Sequence, residues 1–447
     1  MDMMFHFIGI KGSGMSSLAQ VLYDLGYYVQ GSDVNHHLYT EENLRKKKIN
    51  IYSFDESNIK KGFTIIAGNV FNESNVEYKK AIDLNLKIYK YPEMLAKLVN
   101  KFNTLSVTGT HGKTTTTALI SHILNNTIGV NYLIGDGTGH ANKNNTRFIM
   151  EACEFKRVFL HYYPNDIIIT NIGLEHLDYY KDLDDIKDAF KEFLSHASNN
   201  IIACGDDLNI RSILDDAIFY GYDKSNNVVI KNLILDETGS SFDLYYNNNL
   251  LDNFKVNLYG KHMVLNATAA IVYTHIICNI SLDAIKSNLL TFEGAKRRFK
   301  TTDISGTILV DDYAHNPIEI GTVIDSARQK YPNKKIISVF FENTFSRTEK
   351  FYKEYAEALN KSDIVYVTDI LSDRECKEDY PNVSPNLIID LLDNGNYLNI
   401  GNFIDTNNFD IVKPLKNYKN SVIIFMGCKE VYYLKEKLEI LLKEEIC

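Results

Sequence analysis

Tryptophan is absent from this chain of 447 residues, while tyrosine, with 29, is abundant. That imbalance reflects a composition bias and carries no chemistry. Basic charge is in short supply too. The 48 Lys and Arg face 57 Asp and Glu, for a net charge of −9, so no domain-wide basic surface can neutralise nucleic-acid phosphates. A small acidic substrate still fits, because one pocket can be basic inside an acidic protein. The six cysteines, Cys153, Cys204, Cys278, Cys376, Cys428 and Cys447, form no C-x-x-C pair and no zinc spacing. They read as reduced thiols, and a cytoplasmic location is expected. Residues 1–10 lack the basic segment and long apolar run of a signal peptide. No stretch reaches the roughly 18 uncharged apolar residues that span a membrane. Neither a nucleic-acid partner nor a membrane is expected.

What is present is ordinary globular material, 45% hydrophobic and 23% charged, in a chain long enough for about three domains. Short apolar runs alternate with helix-length amphipathic stretches, the pattern of α/β folds with mostly parallel sheets. Strands are expected over 5–10, 28–31, 64–67, 105–108, 148–150, 167–170, 201–203, 308–310, 336–340, 364–367 and 422–426. Helices are expected over 15–25, 113–124, 183–195, 262–277, 318–330 and 348–359. The polar motifs fall just beyond several of these strands: G-I-K-G-S-G, G-T-H-G-K-T, E-A-C-E, N-I-G-L-E-H and D-D-Y-A-H-N-P. Parallel sheets gather ligands at that edge.

Gly9, Gly12 and Gly14 stand between the first strand and its helix, and Asp33 follows about twenty residues on. Glycines let a backbone approach a phosphate at a helix N-terminus, and an acid at that distance can bond a ribose hydroxyl. A tight turn that needs glycine for packing alone accounts for the same residues. The motif does not choose among NAD, FAD and UDP.

Residues 108–117, T-G-T-H-G-K-T-T-T-T, form a second loop of this kind. Its backbone N–H groups and helix dipole suit phosphate oxygens, Lys113 can reach the terminal phosphates, and Thr114 can ligate Mg²⁺. Val107 stands where the strict phosphate-loop pattern has its first glycine, so the loop is two residues short. Glu151 and Glu154 follow one further strand and His176 another. A glutamate at a strand end beside a phosphate loop suits Mg²⁺, whereas a histidine would need phosphate oxygens to complete the shell. A surface acid and a satisfied histidine are the bland alternative. Arg297 and Arg298, adjacent after a glycine, suit phosphate neutralisation, or a solvated basic helix end. Asp311, Asp312 and His315 open the next α/β segment.

In this order the motifs resemble the Mur ligase family, most closely its branch that adds L-alanine to UDP-N-acetylmuramate. The resemblance is carried by F-I-G-I-K-G-S-G-M-S (7–16), G-S-D (31–33), residues 108–117, L-I-G-D-G-T-G (133–139) and E-A-C-E-F (151–155). It continues through T-N-I-x-x-x-H-x-D-Y (170–179), N-A-x-A-A (266–270), G-A-K-R-R-F (294–299), D-D-Y-A-H-x-P (311–317) and F-S-R-T (345–348).

The resemblance implies a three-domain α/β protein. A Rossmann-like UDP-sugar domain would take 1–102, a central parallel-sheet ATP domain 103–296, and a C-terminal Rossmann-like domain 297–447. It places Gly9, Gly12, Gly14, Met15, Ser16 and Asp33 at the UDP-sugar. Gly109, Thr110, His111, Gly112, Lys113, Thr114, Thr115, Asn266, Arg298 and Asp312 would bind ATP. Thr114, Glu151 and His176 would hold Mg²⁺, and His315 and Arg347 would lie on the amino-acid side. Lys113, His176 and Arg298 would carry catalysis, in which a muramoyl carboxylate is phosphorylated and the acyl phosphate is then taken by an amine. The implied protein is a monomer or homodimer.

Four stretches depart from the family pattern. Met263 replaces an amide in the H-N-x-x-N stretch, and Glu342-Asn343 replace P-H. Asn316 replaces a histidine, and Cys428-Lys429-Glu430 replace A-G-D. Glu342 would repel the carboxylate of an incoming α-amino acid unless it points away. Two other functions therefore stand beside L-alanine addition: a Mur-type ligase with another amine or carboxylate, and a weakly active nucleotide-binding paralogue. A dehydrogenase would leave the second loop unexplained.

Overall fold

The computed structural model describes residues 3–176, 179–372, 375–405, 408–428 and 430–445. Asp178, Lys429 and Cys447, noted in the sequence, lie outside the described residues. The chain forms two compact bodies, one of 1–233, 242–255 and 265–292, the other of 234–241, 256–264 and 293–447. Three sheets give a three-domain α/β architecture; the first belongs to the first body, and so does the second apart from the strand ends within 234–241 and at 256.

The first sheet has five parallel strands in the order Asn50–Tyr52, Tyr28–Ser32, Met4–Ile8, Phe63–Ala67, Ile88–Lys90. Phe5, Phe7 and Ile8 are buried, as a central strand covered on both faces requires. The order reverses between Met4–Ile8 and Phe63–Ala67, so the glycine loop opens at a switch point. The first strand ends at Ile8 rather than Ile10, because Gly9 turns the chain at φ +85°.

In the second sheet seven parallel strands run Asn131–Ile134, Arg147–Glu151, Asn103–Thr108, Asp166–Ile169, Ile201–Cys204, Ile218–Gly221, Val228–Asp236. Strands Arg147–Glu151, Asn103–Thr108 and Asp166–Ile169 are neighbours, so the three loops that follow them open side by side. Thr138–His140 returns antiparallel beside Asn131–Ile134. This hairpin grips helix Ser13–Asp24 of the first sheet. Ser17 Oγ donates to Ile134 O (2.9 Å), Gln20 Nε2 to Gly137 O (2.8 Å), and Gly139 N to Gln20 Oε1 (3.2 Å).

The third sheet runs Lys300–Ile304, Thr307–Asp312, Val422–Met426, Ile336–Phe340, Ile364–Thr368, Gly395–Leu398, with only the first pair antiparallel. One expected helix differs: over 262–277 an α-helix, Lys261–Ile271, passes into a π-helical turn, Val272–Ile277. Among the described residues no helix is long and apolar enough to cross a membrane.

Candidate functional site

Helix Lys113–Asn125 starts directly on the second glycine loop, with Gly109 at φ +130° and Gly112 at φ +83°. Only glycine holds such angles without strain. Gly112 also has no room for a side chain, since a Cβ there would stand 2.5 Å from Asn266 Oδ1. Asn266 thus lies against the loop. The T-N-I stretch fastens the loop from the neighbouring strand. Thr110 N donates to Asn171 O (2.9 Å), His111 N to Asn171 Oδ1 (2.9 Å), and Gly173 N to Thr110 Oγ1 (2.7 Å). Thr115, Thr116 and Thr117 are buried and anchor the first helical turn.

Lys113 points back into this loop. Its ammonium donates to Gly109 O and to Thr110 O (2.9 Å), and pairs with Glu154 at 2.9 Å. Burial alone would lower its pKa, but Glu154 carries it above the ordinary value. Burial would likewise raise the Glu154 carboxyl, yet the Lys113 charge and the His176 contact hold it down at about 2. Glu154 is therefore anionic at the centre of the site. The sequence left it unassigned, although its place three residues after Glu151 was the available signal.

Thr114 and Glu151 meet: Thr114 Oγ1 donates to Glu151 Oε2 at 2.8 Å, and Gly135 N donates to the same oxygen at 3.1 Å. A hydroxyl beside a carboxylate offers the oxygen donors that Mg²⁺ prefers. His176 is not brought to this pair. Its Nε2 lies 3.5 Å from Glu154 Oε1 and its ring packs 4.6 Å from that of Phe155. His176 adopts φ +55°, a left-handed conformation costly for a residue with a Cβ. Among the described residues no group of three or more His, Cys, Asp or Glu side chains could hold a metal ion. A shell built on Thr114 and Glu151 would be completed by phosphate oxygens.

At the first glycine loop the packing reading holds for two of the three glycines. A Cβ on Gly9 would strike the Phe71 ring at 2.2 Å, and one on Gly14 would meet the Tyr91 phenol at 2.7 Å, whereas Gly12 meets nothing closer than 3.6 Å. Met15 and Ser16 are buried, and Ser16 Oγ donates to Thr40 O (3.1 Å). The Asp33 oxygens accept from Lys11 N (2.6 Å) and Val34 N (2.8 Å). Burial still raises its pKa. Lys11, overlooked in the sequence, is buried against Glu41 and ties down the 34–36 segment through Val34 O (2.7 Å) and His36 O (2.8 Å).

In the second body the two arginines separate. Arg297 is buried, 3.3 Å from both Asp311 oxygens, and donates to Gly427 O (2.7 Å). Arg298 is half-buried over the Tyr313 ring at 5.0 Å. Asp312 accepts from Phe299 N (2.7 Å) and Ala314 N (2.8 Å). Burial, partly offset by Arg298, lifts its pKa to about 6. His315 Nδ1 lies 3.2 Å from Glu319. Asn316 caps helix Pro317–Lys330 by accepting from Glu319 N (3.0 Å), which explains an amide there. Glu342 turns inward: its Oε1 accepts from Asn343 N (2.7 Å) and Thr344 N (3.0 Å). Arg347 lies 3.4 Å from that oxygen and 3.2 Å from Asn343 Oδ1.

Three family models match the chain in order. They are "Mur ligase family, catalytic domain" over 4–103, "Mur ligase middle domain" over 107–274, and "Mur ligase, glutamate ligase domain" over 297–427. Among solved structures, the UDP-N-acetylmuramate-alanine ligase of Thermotoga maritima is 24% identical with a TM-score of 0.82, over 99% of this chain and 100% of that one. A murein peptide ligase of Psychrobacter arcticus is 22% identical with a TM-score of 0.72, over 98% of each chain. A pseudomurein peptide ligase type C of Methanothermus fervidus is 20% identical with a TM-score of 0.66, over 98% of this chain and 100% of that one. At such identities the likeness to these structures is one of fold.

Proposed function

This chain belongs to the Mur ligase family of ATP-dependent amide-bond ligases, and from that premise we propose that it joins L-alanine to the lactyl carboxylate of UDP-N-acetylmuramate, a step of peptidoglycan precursor synthesis. The observation that carries the reading is the meeting of Lys113, Thr114, Glu151 and Glu154 on one phosphate loop, in the same body as the first glycine loop. Domain boundaries near 102 and 296, a cytoplasmic location and a monomeric or homodimeric state belong to the same proposal.

The loop N–H groups of Gly109 to Thr115 and the Lys113 ammonium would bind the ATP phosphates, with Asn266 at the base. Thr114 and Glu151 would hold Mg²⁺, and His176, braced on Glu154, would orient the sugar carboxylate. Arg298 and Asp312 are assigned to the nucleotide, His315 and Arg347 to the amino acid. Gly9, Gly12, Gly14, Met15, Ser16 and Asp33 would shape the UDP-sugar site. When bound, ATP supplies the phosphoryl group that activates the carboxylate for the amine, and Mg²⁺ neutralises phosphate charge.

A second reading has its own support. Arg347 is already engaged by Glu342 and Asn343, which weakens its pull on an α-carboxylate and favours another amine. The test follows phosphate release from purified protein with Mg-ATP and UDP-N-acetylmuramate, each amino acid being offered in turn. Alanine-dependent release supports the first reading, and release with another amine alone supports the second. No release with any amine, while ATP still binds, overturns both.

A further inference from the structure

Tyr91 opens helix Tyr91–Val99, directly after the edge strand Ile88–Lys90 of the first sheet. Its phenol lies against the first turn of helix Ser13–Asp24, since a Cβ on Gly14 would stand 2.8 Å from Tyr91 Oη. A Gly14 without a side chain is what leaves room for that hydroxyl. One turn further along the same helix, Ser17 bonds Ile134 O, and the next residue of that hairpin, Gly135, bonds Glu151. Glycine loop, phenol and Mg²⁺-side carboxylate are thus linked through a few residues of one body.

Two further observations bear on what the phenol does. Burial, and then the nearby Glu151 carboxylate, push its pKa above the ordinary value, so the hydroxyl stays a proton donor through the working pH range. No hydrogen bond holds this hydroxyl among the described residues. The backbone that presents it is fixed, because Lys90 N donates to Glu93 Oε2 (2.9 Å) and Pro92 sets the first helical turn.

The diphosphate of a nucleotide-sugar is met at a glycine loop by main-chain N–H groups. A carboxylate that approaches Glu151 meets repulsion instead and needs a donor to offset it. We propose that Tyr91 is a substrate-positioning residue whose hydroxyl donates a hydrogen bond to the carboxylate that the nucleotide-sugar presents to the ATP site. This inference rests on the function proposed above.

The experiment compares wild type with Tyr91→Phe, which keeps the ring and its packing, by titration calorimetry against two sugar nucleotides. UDP-N-acetylmuramate carries the carboxylate and UDP-N-acetylglucosamine lacks it. Loss of a hydrogen bond to a charged group weakens binding by roughly tenfold to a hundredfold. That loss is expected for UDP-N-acetylmuramate alone, with an unchanged melting temperature and an unchanged KM for ATP. An unchanged affinity, or an equal loss for both nucleotides, overturns the assignment of Tyr91. A wild-type chain that binds neither nucleotide overturns the proposed substrate, and this inference with it.

Discussion

Lys113 and Glu154 form an ion pair 2.9 Å long inside the nucleotide loop, so the ammonium expected to meet phosphate is held by an internal anion. A triphosphate bound at this loop would have to take Lys113 over from Glu154, and removal of the lysine leaves the buried carboxylate with only its His176 contact. Such a loss costs about 3–5 kcal/mol. Lys113→Ala is expected to abolish phosphate release and to lower the melting temperature. Adding Glu154→Gln should restore the melting temperature without restoring turnover. A double variant that regains turnover would show that Lys113 serves the fold alone.

Gly135 has a different dependence. A Cβ there would stand 2.3 Å from Glu151 Oε2, so Gly135→Ala should push the carboxylate away from Thr114. The expected result is a rise of about tenfold or more in the Mg²⁺ concentration needed for half-maximal phosphate release, on the scale seen when a ligand's support is lost. An unchanged Mg²⁺ dependence would take Glu151 out of the metal site.

The adjacent arginines should behave in opposite ways. Arg297→Ala strands Asp311 in the interior and is expected to cost several kcal/mol in urea unfolding. Arg298→Ala, from a half-buried position, should leave stability within about 1 kcal/mol and raise the KM for ATP. Equal effects of the two on stability would contradict the separation.

Asp312 ties stability to pH. Burial, despite Arg298, holds its folded pKa at about 6 against an ordinary 3.8. The folded value lies above the unfolded one, so its contribution is complete below about pH 4 and is lost as pH rises through about 6. Relative to Asp312→Asn, wild type should lose roughly 1–2 kcal/mol between about pH 5 and pH 7.5. A pH-independent difference in urea midpoint would refute this.

At the acceptor side, Glu342→Gln keeps an oxygen for the turn N–H groups but removes the charge beside Arg347. The KM for the amino acid should fall severalfold with kcat unchanged. An unchanged KM would place Glu342 and Arg347 outside the acceptor site.

The strands that carry the candidate site residues were legible because apolar runs such as Ile167–Ile169 and Ile336–Phe340 are buried on both faces and end at polar motifs. The phosphate loop was legible despite Val107, since strand, Gly-Lys-Thr and helix stand in order. Hidden from sequence were the short hairpin of Asn131–Ile134 and Thr138–His140, whose three- and four-residue strands show no period. The half-exposed strands Val228–Asp236, Gly239–Tyr246 and Asn249–Val256 were hidden too, because their polar residues blur the pattern. Partnerships across the fold, such as Lys11 with Glu41 or Tyr91 with Gly14, have no local signature. The inward turn of Glu342 depends on two N–H groups of the following turn, and residue identity alone left its direction open.

The grip of Gln20 and Ser17 on the hairpin at 134–139 has a consequence for inheritance. Because a Cβ on Gly139 would fall 2.1 Å from Ser17 O, the seam closes only over glycine there, whereas Ser17 and Gln20 meet main-chain atoms of the hairpin. A chimera that borrows its first hundred residues from another ligase should therefore hold together where the donor carries Ser and Gln at these two positions, and should be unstable where it does not.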